Sequence, residues 1–367
     1  MEWPGYPTAV IGEAPRPQVP LHFGRPLPEQ RLFAEGAPAV ASHYGVIVLT
    51  GPDRLSWLHS LSTQDLTALP PGESTETLIL SPHGHIEHWF HLVDDGEATW
   101  LSGPADPAPA IAFLESMRFM MRVEIADATA QWAVLLSTRE LGPQWRPGTV
   151  WTDPWPGVSA GGASYTLPGA EHPGAGYRRY ETLVPRELLA EVARTGLLDG
   201  QPVEFAGYDA AEALRIEAWR PSPEAEVDHR TLVGEIDALR TAVHLNKGCY
   251  RGQEAVARVH NLGQPPRRLV FLHLDGSGHT LPPAGTEITA TVRGSRRAVG
   301  QVTSSAIHYE LGPVALGLIK RSVAPDEELR LVLDDGEEIA AAQEEIVAHE
   351  RERGVAAPPR NRDLFRR

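Results

Sequence analysis

The run Lys247-Gly248-Cys249-Tyr250-Arg251-Gly252-Gln253-Glu254 holds the residues best suited to chemistry. The chain's single cysteine sits between two cations, with a glycine on either side of the short loop. The thiolate is the reactive form of cysteine, and Lys247, Arg251 and a helix start at Gln253 would each favour it over the thiol. Gly248 and Gly252 let the backbone approach a partner closely or adopt positive φ. The competing reading of the same residues is a buried, inert cysteine in a tight turn before a helix. With one cysteine, neither an internal disulfide nor an iron–sulfur cluster held by several of the chain's own thiolates can form.

His83, His85, His88 and His91 form a second candidate group. Alternation along a strand puts His85 and His91 on one face with Glu87 and Trp89, and His88 on the other. His85 and His91 then lie roughly 20 Å apart at about 3.3 Å per residue, too far to chelate one ion alone. They read as polar hairpin residues, and no metal site is expected.

These residues need elements to hold them. Tyr44 to Thr50 (YGVIVLT) is a β-branched run that stops at the turn Gly51-Pro52-Asp53. Asp53 can then cap a helix over Arg54 to Leu61, with Leu55, Leu58 and Leu61 on one face. Strands are expected at Thr77 to Leu80 and Ile86 to Val93, joined by the turn Ser81 to His85. A helix at Ile111 to Met121, with Phe113, Met117 and Met121 near helical spacing, precedes strands at Val123 to Ala126 and Trp132 to Leu136. This order suggests a split, antiparallel α+β layer. A strand at Tyr177 to Val184 and helices at Pro185 to Thr195 and Asp209 to Trp219 repeat the flavour. After Gln264-Pro265-Pro266 the pattern becomes all-β: LVFLHL, EITATV, AVGQVTS, ALGLI and LRLVL are five short strands of a small barrel or sandwich.

At 367 residues the chain exceeds a single core, and its 42% hydrophobic content supports ordinary ones. The formal charge of −15 repels phosphates, so direct nucleic-acid binding is disfavoured. No segment approaches the roughly 20 apolar residues of a membrane span. Met1 to Pro20 holds five prolines and does not read as a signal peptide, so a reducing cytoplasm is the expected compartment.

KGCYRGQE resembles the signature of the YgfZ family of folate-binding proteins, Lys-Gly-Cys-aromatic-x-Gly-Gln-Glu, at all seven specified positions. ALRIEAW (213–219) is similar to a segment shared by YgfZ proteins and the aminomethyltransferase T-proteins of glycine cleavage. SHYGVIVLTGPDRLSWLHSLSTQDL (42–66) and VGQVTSSAIHYELGPVALGLI (299–319) resemble their N-terminal strand–turn–helix and C-terminal barrel motif. The resemblance implies an α+β fold: a three-domain ring of split β-α-β layers and a β-barrel around a central folate channel. On that plan residues 1–35 are an extended Pro-rich segment lying as a tail or strap on the first domain. Residues 36–130 are an N-terminal α+β folate-binding domain, and 131–263 a second α+β domain carrying KGCYRGQE. Residues 264–348 are the barrel and 349–367 a frayed tail.

The resemblance further implies tetrahydrofolate as cofactor, with Glu181 holding the pterin N–H groups and Arg215 facing the same pocket. A carboxylate accepting paired donors, with its charge offset by an arginine, is sound chemistry for that ligand. The acidic pair of T-proteins, however, falls on His88-Trp89, and tryptophan is neither acid nor base. GAGYRRYE also replaces their Gly-Tyr-Thr-Gly-Glu-Asp segment. The implied function is a monomeric, folate-binding accessory factor for assembly or repair of iron–sulfur client enzymes, with Cys249 as the functional thiol and an indirect effect on tRNA modification. A one-carbon enzyme of the aminomethyltransferase or demethylase type and a non-catalytic folate sensor or scaffold are the alternatives.

Overall fold

The computed structural model describes residues 1–13, 16–103, 106–167, 169, 171–262, 264–278 and 280–349. Of the expected frayed tail at 349–367, only His349 falls within the described residues. The N-terminal segment forms a hairpin of β1 (Val10–Ile11) and β2 (Pro20–His22), then helix α1 (Pro26–Glu35). There follow β3 (Ala39–Ala41), β4 (Gly45–Thr50), α2 (Arg54–Leu61), β5 (Ser74–Leu80), β6 (Ile86–Asp94), β7 (Ala98–Gly103), α3 (Ala108–Arg118) and β8 (Glu124–Asp127). The middle of the chain gives β9 (Trp132–Ser137), β10 (Val150–Thr152), β11 (Tyr180–Pro185), α4 (Arg186–Thr195), β12 (Leu197–Leu198), β13 (Gln201–Pro202), α5 (Tyr208–Glu217) and α6 (Gln253–Leu262). The last part is β14 (Arg267–Leu274), β15 (Glu287–Val292), β16 (Ser295–His308), β17 (Gly312–Lys320), β18 (Leu329–Val332) and β19 (Glu338–Glu345).

The first sheet is antiparallel, in the order β5-β6-β7-β4-β8. Strand alternation divides its side chains: Ile47, Leu49, Phe90 and Leu92 bury against α2 and α3, while Val46, Leu78 and Trp89 enter a core shared with the rest of the chain. The second sheet, β10-β11-β9-β3, packs α4 on one face and α5 on the other. Its edge strand β3 comes from before the first sheet, so the two layers are threaded together. The C-terminal strands close into a barrel, β14-β17-β16-β15-β18-β19, which leaves no free edge.

Several expectations are corrected. Residues 26–35, read as extended because of their prolines, are helical; Pro26 occupies the first helical position, where the missing N–H costs nothing. The segment touches the first domain, where Ser42 donates to the Gln18 carbonyl, and also reaches beyond it. Trp3 buries against Phe205 beside α4, and Gln30 bonds the barrel at Ile307 and Tyr309. Asp53 has a helical backbone and does not cap α2; its carboxylate accepts from the Arg122 backbone and guanidinium instead. Helix α3 starts three residues earlier than expected and ends where Phe119 takes φ +48°, so Ala110 and Leu114 face the core while Met117 is exposed. Strands β3, β7, β10 and β19 and the short pairs β1–β2 and β12–β13 lie outside the expected elements. Among the described residues no helix is long and apolar enough to cross a membrane.

Candidate functional site

The KGCYRGQE loop is held against the β5–β6 turn by two glycines. Gly252 has φ +83°, and a Cβ there would lie 2.5 Å from the Ser81 carbonyl oxygen. Gly84 has φ +82°, and a Cβ there would meet the Ala255 side chain at 2.8 Å. The loop and the hairpin therefore interlock at backbone distance, which only glycine allows. Helix α6 begins at Gln253, as its sequence suggests, and carries Glu254 in its first turn.

Cys249 is exposed at the crest of this loop, as is Gly248, whereas Tyr250 is buried. The core-cysteine reading of the motif therefore does not describe the fold. The two flanking cations, however, are committed elsewhere. The Lys247 ammonium is buried and donates to the carbonyls of His59, Ser62 (2.6 Å) and Gln64 (3.0 Å), tying the loop to the end of α2. Arg251 pairs with Glu87 at 2.7 Å and lies over the Phe113 ring. The motif's charges thus fix the loop's position and present the thiol.

Behind the loop, the centre of the molecule is a buried polar network rather than a wide opening. Glu76, fully buried, accepts from Arg220 (2.7 Å), the Trp89 indole (2.8 Å) and the Thr241 hydroxyl. Arg220 also donates to Asp153 at 3.1 Å and lies over the rings of Trp89 and Trp155. Glu181, 1% exposed, accepts from Arg179 (2.5 Å) and Ser102 (3.0 Å), and His91 Nδ1 stands 2.9 Å away. Arg179 in turn donates to the Tyr44 hydroxyl. Arg215 is a separate staple. Its guanidinium is divided among Glu212, Glu226, Ser304 and the Arg220 carbonyl, joining α5 to β16 of the barrel.

The open volume beside this network is about 130 Å³, lined by Glu87, His88, Trp89 and Ser102 on one side and Pro223 and Val227 on the other. Glu181 and Arg215 do not line it. Trp89 and His91 share the face that meets Glu76, as alternation predicts, but a bulge opposite Ile79 and Leu80 disturbs the strand start and turns Glu87 out to Arg251. His88 packs on the far side against Phe90 and Phe113. Among the described residues no group of three or more His, Cys, Asp or Glu side chains could hold a metal ion.

The network sets an acid limit on the fold. Burial alone would raise the Glu181 carboxyl, but His91 and Arg179 outweigh it and hold it at about 2, against an ordinary 4.5. Glu212 is likewise held at about 2, burial being outweighed by Arg215 and Arg16. Carboxyls that titrate lower in the folded state contribute stability above pH 4.5, and lose it as the pH falls toward 2 because the unfolded chain takes up protons first. Melting followed by circular dichroism should show a midpoint that drops across this window. The drop should be shallower in Glu181→Gln; an unchanged slope would remove Glu181 from the network's balance.

No family model matches the chain. Over 304 residues it is 28% identical to a putative chloroplastic transferase of Arabidopsis thaliana, covering 77% of this chain and 65% of that protein. It is 26% identical over 314 residues to the tRNA-modifying protein YgfZ of Yersinia enterocolitica, covering 82% and 89%. It is also 25% identical over 260 residues to a mitochondrial iron–sulfur cluster assembly factor IBA57 homologue of Cryptococcus neoformans, covering 65% and 67%. Among solved structures, the glycine cleavage system aminomethyltransferase T of Bartonella henselae superposes with a TM-score of 0.68 at 20% identity, over 91% of this chain and 92% of that one, and so shares the fold.

Proposed function

We propose that this chain, a YgfZ-type member of the aminomethyltransferase superfamily, is a cytoplasmic accessory protein for iron–sulfur enzymes that acts as a monomer through Cys249. The observation that carries the reading is the presentation of that thiol: exposed, on a loop fixed by glycine interlock and by Lys247, while the centre behind it is closed. Relatives named for iron–sulfur assembly and for tRNA modification support the same direction. An exposed cysteine sulfur can touch an iron on a partner or respond to oxidants. A tRNA effect would then pass through cluster-dependent modification enzymes, in keeping with the chain's acidity.

Glycine-cleavage aminomethyl transfer is not expected of this chain. At the position of the acidic pair, Trp89 is a hydrogen-bond donor to Glu76, and His88 is packed between rings. Purified protein given aminomethylated carrier protein and tetrahydrofolate is expected to form no methylenetetrahydrofolate above background. In a deletion strain the wild-type chain is expected to restore a cluster-dependent modification enzyme. Turnover in the first assay, or no effect in the second, would overturn the reading.

Tetrahydrofolate is the cofactor the family implies, but the walls around Glu181 do not fit it as they stand. Each Glu181 oxygen already accepts an internal donor, from Arg179 and Ser102, with His91 Nδ1 2.9 Å away, and the adjoining space of about 130 Å³ is below the roughly 300 Å³ at which small-molecule sites begin. Folate binding therefore enters the proposal from the family alone, with Arg179 as its competitor. Calorimetric titration with tetrahydrofolate should show tighter binding to Arg179→Ala than to the wild type, by roughly 1.5–3 kcal/mol for one freed charged hydrogen bond. Equal affinity in the two proteins would take Glu181 out of any folate pocket.

A further inference from the structure

A second cavity, of about 610 Å³, lies beside α5, between the N-terminal segment and the barrel. Its size is that of a small-molecule site. One wall is apolar, with Leu27, Leu281 and Ile307; Leu27 and Ile307 are 43% and 44% exposed, which puts large aliphatic side chains in contact with solvent at the rim. The other wall is charged, with Arg16, Asp209 and Glu212.

The charges there are not balanced. Arg16 is claimed by Glu224 at 3.0 Å and by Glu212 at 3.4 Å, and Glu212 also takes two bonds from Arg215. Asp209 has no hydrogen-bond or ion-pair partner among the described residues. Burial pushes its carboxyl up to about 6 against the pull of His22 and Arg16, with Glu212 and Glu29 the acidic groups nearby, so it is a half-buried carboxylate facing the cavity without a partner of its own.

We propose that this cavity binds a small organic amine, its ammonium on Asp209 and its apolar body along Leu27, Leu281 and Ile307. An ammonium supplies the missing counter-charge and hydrogen-bond donors. An anionic ligand would face Asp209 directly and find Arg16 already engaged, so the cavity discriminates by sign. This site is independent of the Cys249 reading.

The test uses the full-length protein with tryptamine as probe, and indole-3-propionate as the probe of opposite charge, by calorimetry. Tryptamine should bind saturably at one site, and indole-3-propionate should not compete. Asp209→Asn should weaken tryptamine roughly tenfold or more, the loss of one charged hydrogen bond. This variant removes a desolvated charge, so its melting point should not fall, which separates lost binding from lost folding. Ala284→Trp, at an exposed position in the cavity wall, should abolish binding by filling it. Lowering the pH from about 7.5 to about 5 should weaken tryptamine in the wild type and in His22→Gln alike, because Asp209 takes up the proton in both. No saturable binding, undiminished binding to Asp209→Asn, or equal competition by indole-3-propionate would overturn the proposal.

Discussion

Cys249→Ser is expected to reduce the activity of a cluster-dependent enzyme in a complemented deletion strain by about tenfold or more, toward the level without the protein, since hydroxyl oxygen cannot replace a thiolate toward iron or an oxidant. Nothing in the fold depends on the sulfur. The side chain is exposed, and the loop is held by Gly252, by Lys247 on the carbonyls beyond α2, and by Arg251 on Glu87. The serine protein should therefore melt with the wild type. That combination, intact fold and lost service, distinguishes a working thiol from a structural one. Full complementation by the serine variant would reduce the loop to a scaffold. Iodoacetamide should label the native protein at this residue, and labelling seen only after unfolding would contradict the exposed position.

Arg220→Ala should be the most destabilising single change in the network, at about 3–5 kcal/mol, the range for breaking a buried ion pair by removing one partner. Its guanidinium is 1% exposed and bridges Glu76 on β5 with Asp153 just after β10, so its loss leaves two carboxylates buried without their cation. Domains hold together by only 5–15 kcal/mol, so the urea midpoint should move far. Adding Glu76→Gln and Asp153→Asn to Arg220→Met should recover part of the loss, because the stranded charges then disappear with their partner. A loss below about 1 kcal/mol in Arg220→Ala would mean that the network only breaks even against its own desolvation.

The fold was largely legible because its main elements carry local signals. The β-branched run before Gly51, the apolar face of α2 and the Gly- and Pro-punctuated barrel strands all appear at or near their expected positions. Strand β19, EIAAAQEE, escaped notice because it pairs between β14 and β18 with small and charged side chains instead of an apolar alternation. The site was legible only in part. KGCYRGQE marks itself by composition, but the destinations of Lys247 and Arg251 lie 183 and 164 residues away, at Gln64 and Glu87. Glu76, within STETLIL, carries no local mark of its role; it is buried with Arg220, 144 residues further on. Long-range ion pairing leaves no trace in local pattern, so the internal partners of Glu181 and Arg215 are visible only in the fold.

The clamp made by the N-terminal segment has a consequence for synthesis. Trp3, Tyr6 and Phe23 pack around Phe205, and the Glu29 carboxylate accepts from the Gly207 backbone. These partners are separated by about 200 residues, which a ribosome adding about 5–20 residues per second needs roughly 10–40 s to supply. Through that interval Trp3, Tyr6 and Phe23 lack the Phe205 ring that completes their cluster. Nascent chains of this protein accordingly carry a sticky aromatic segment, and a holdase that binds exposed aromatics would occupy it until Phe205 arrives.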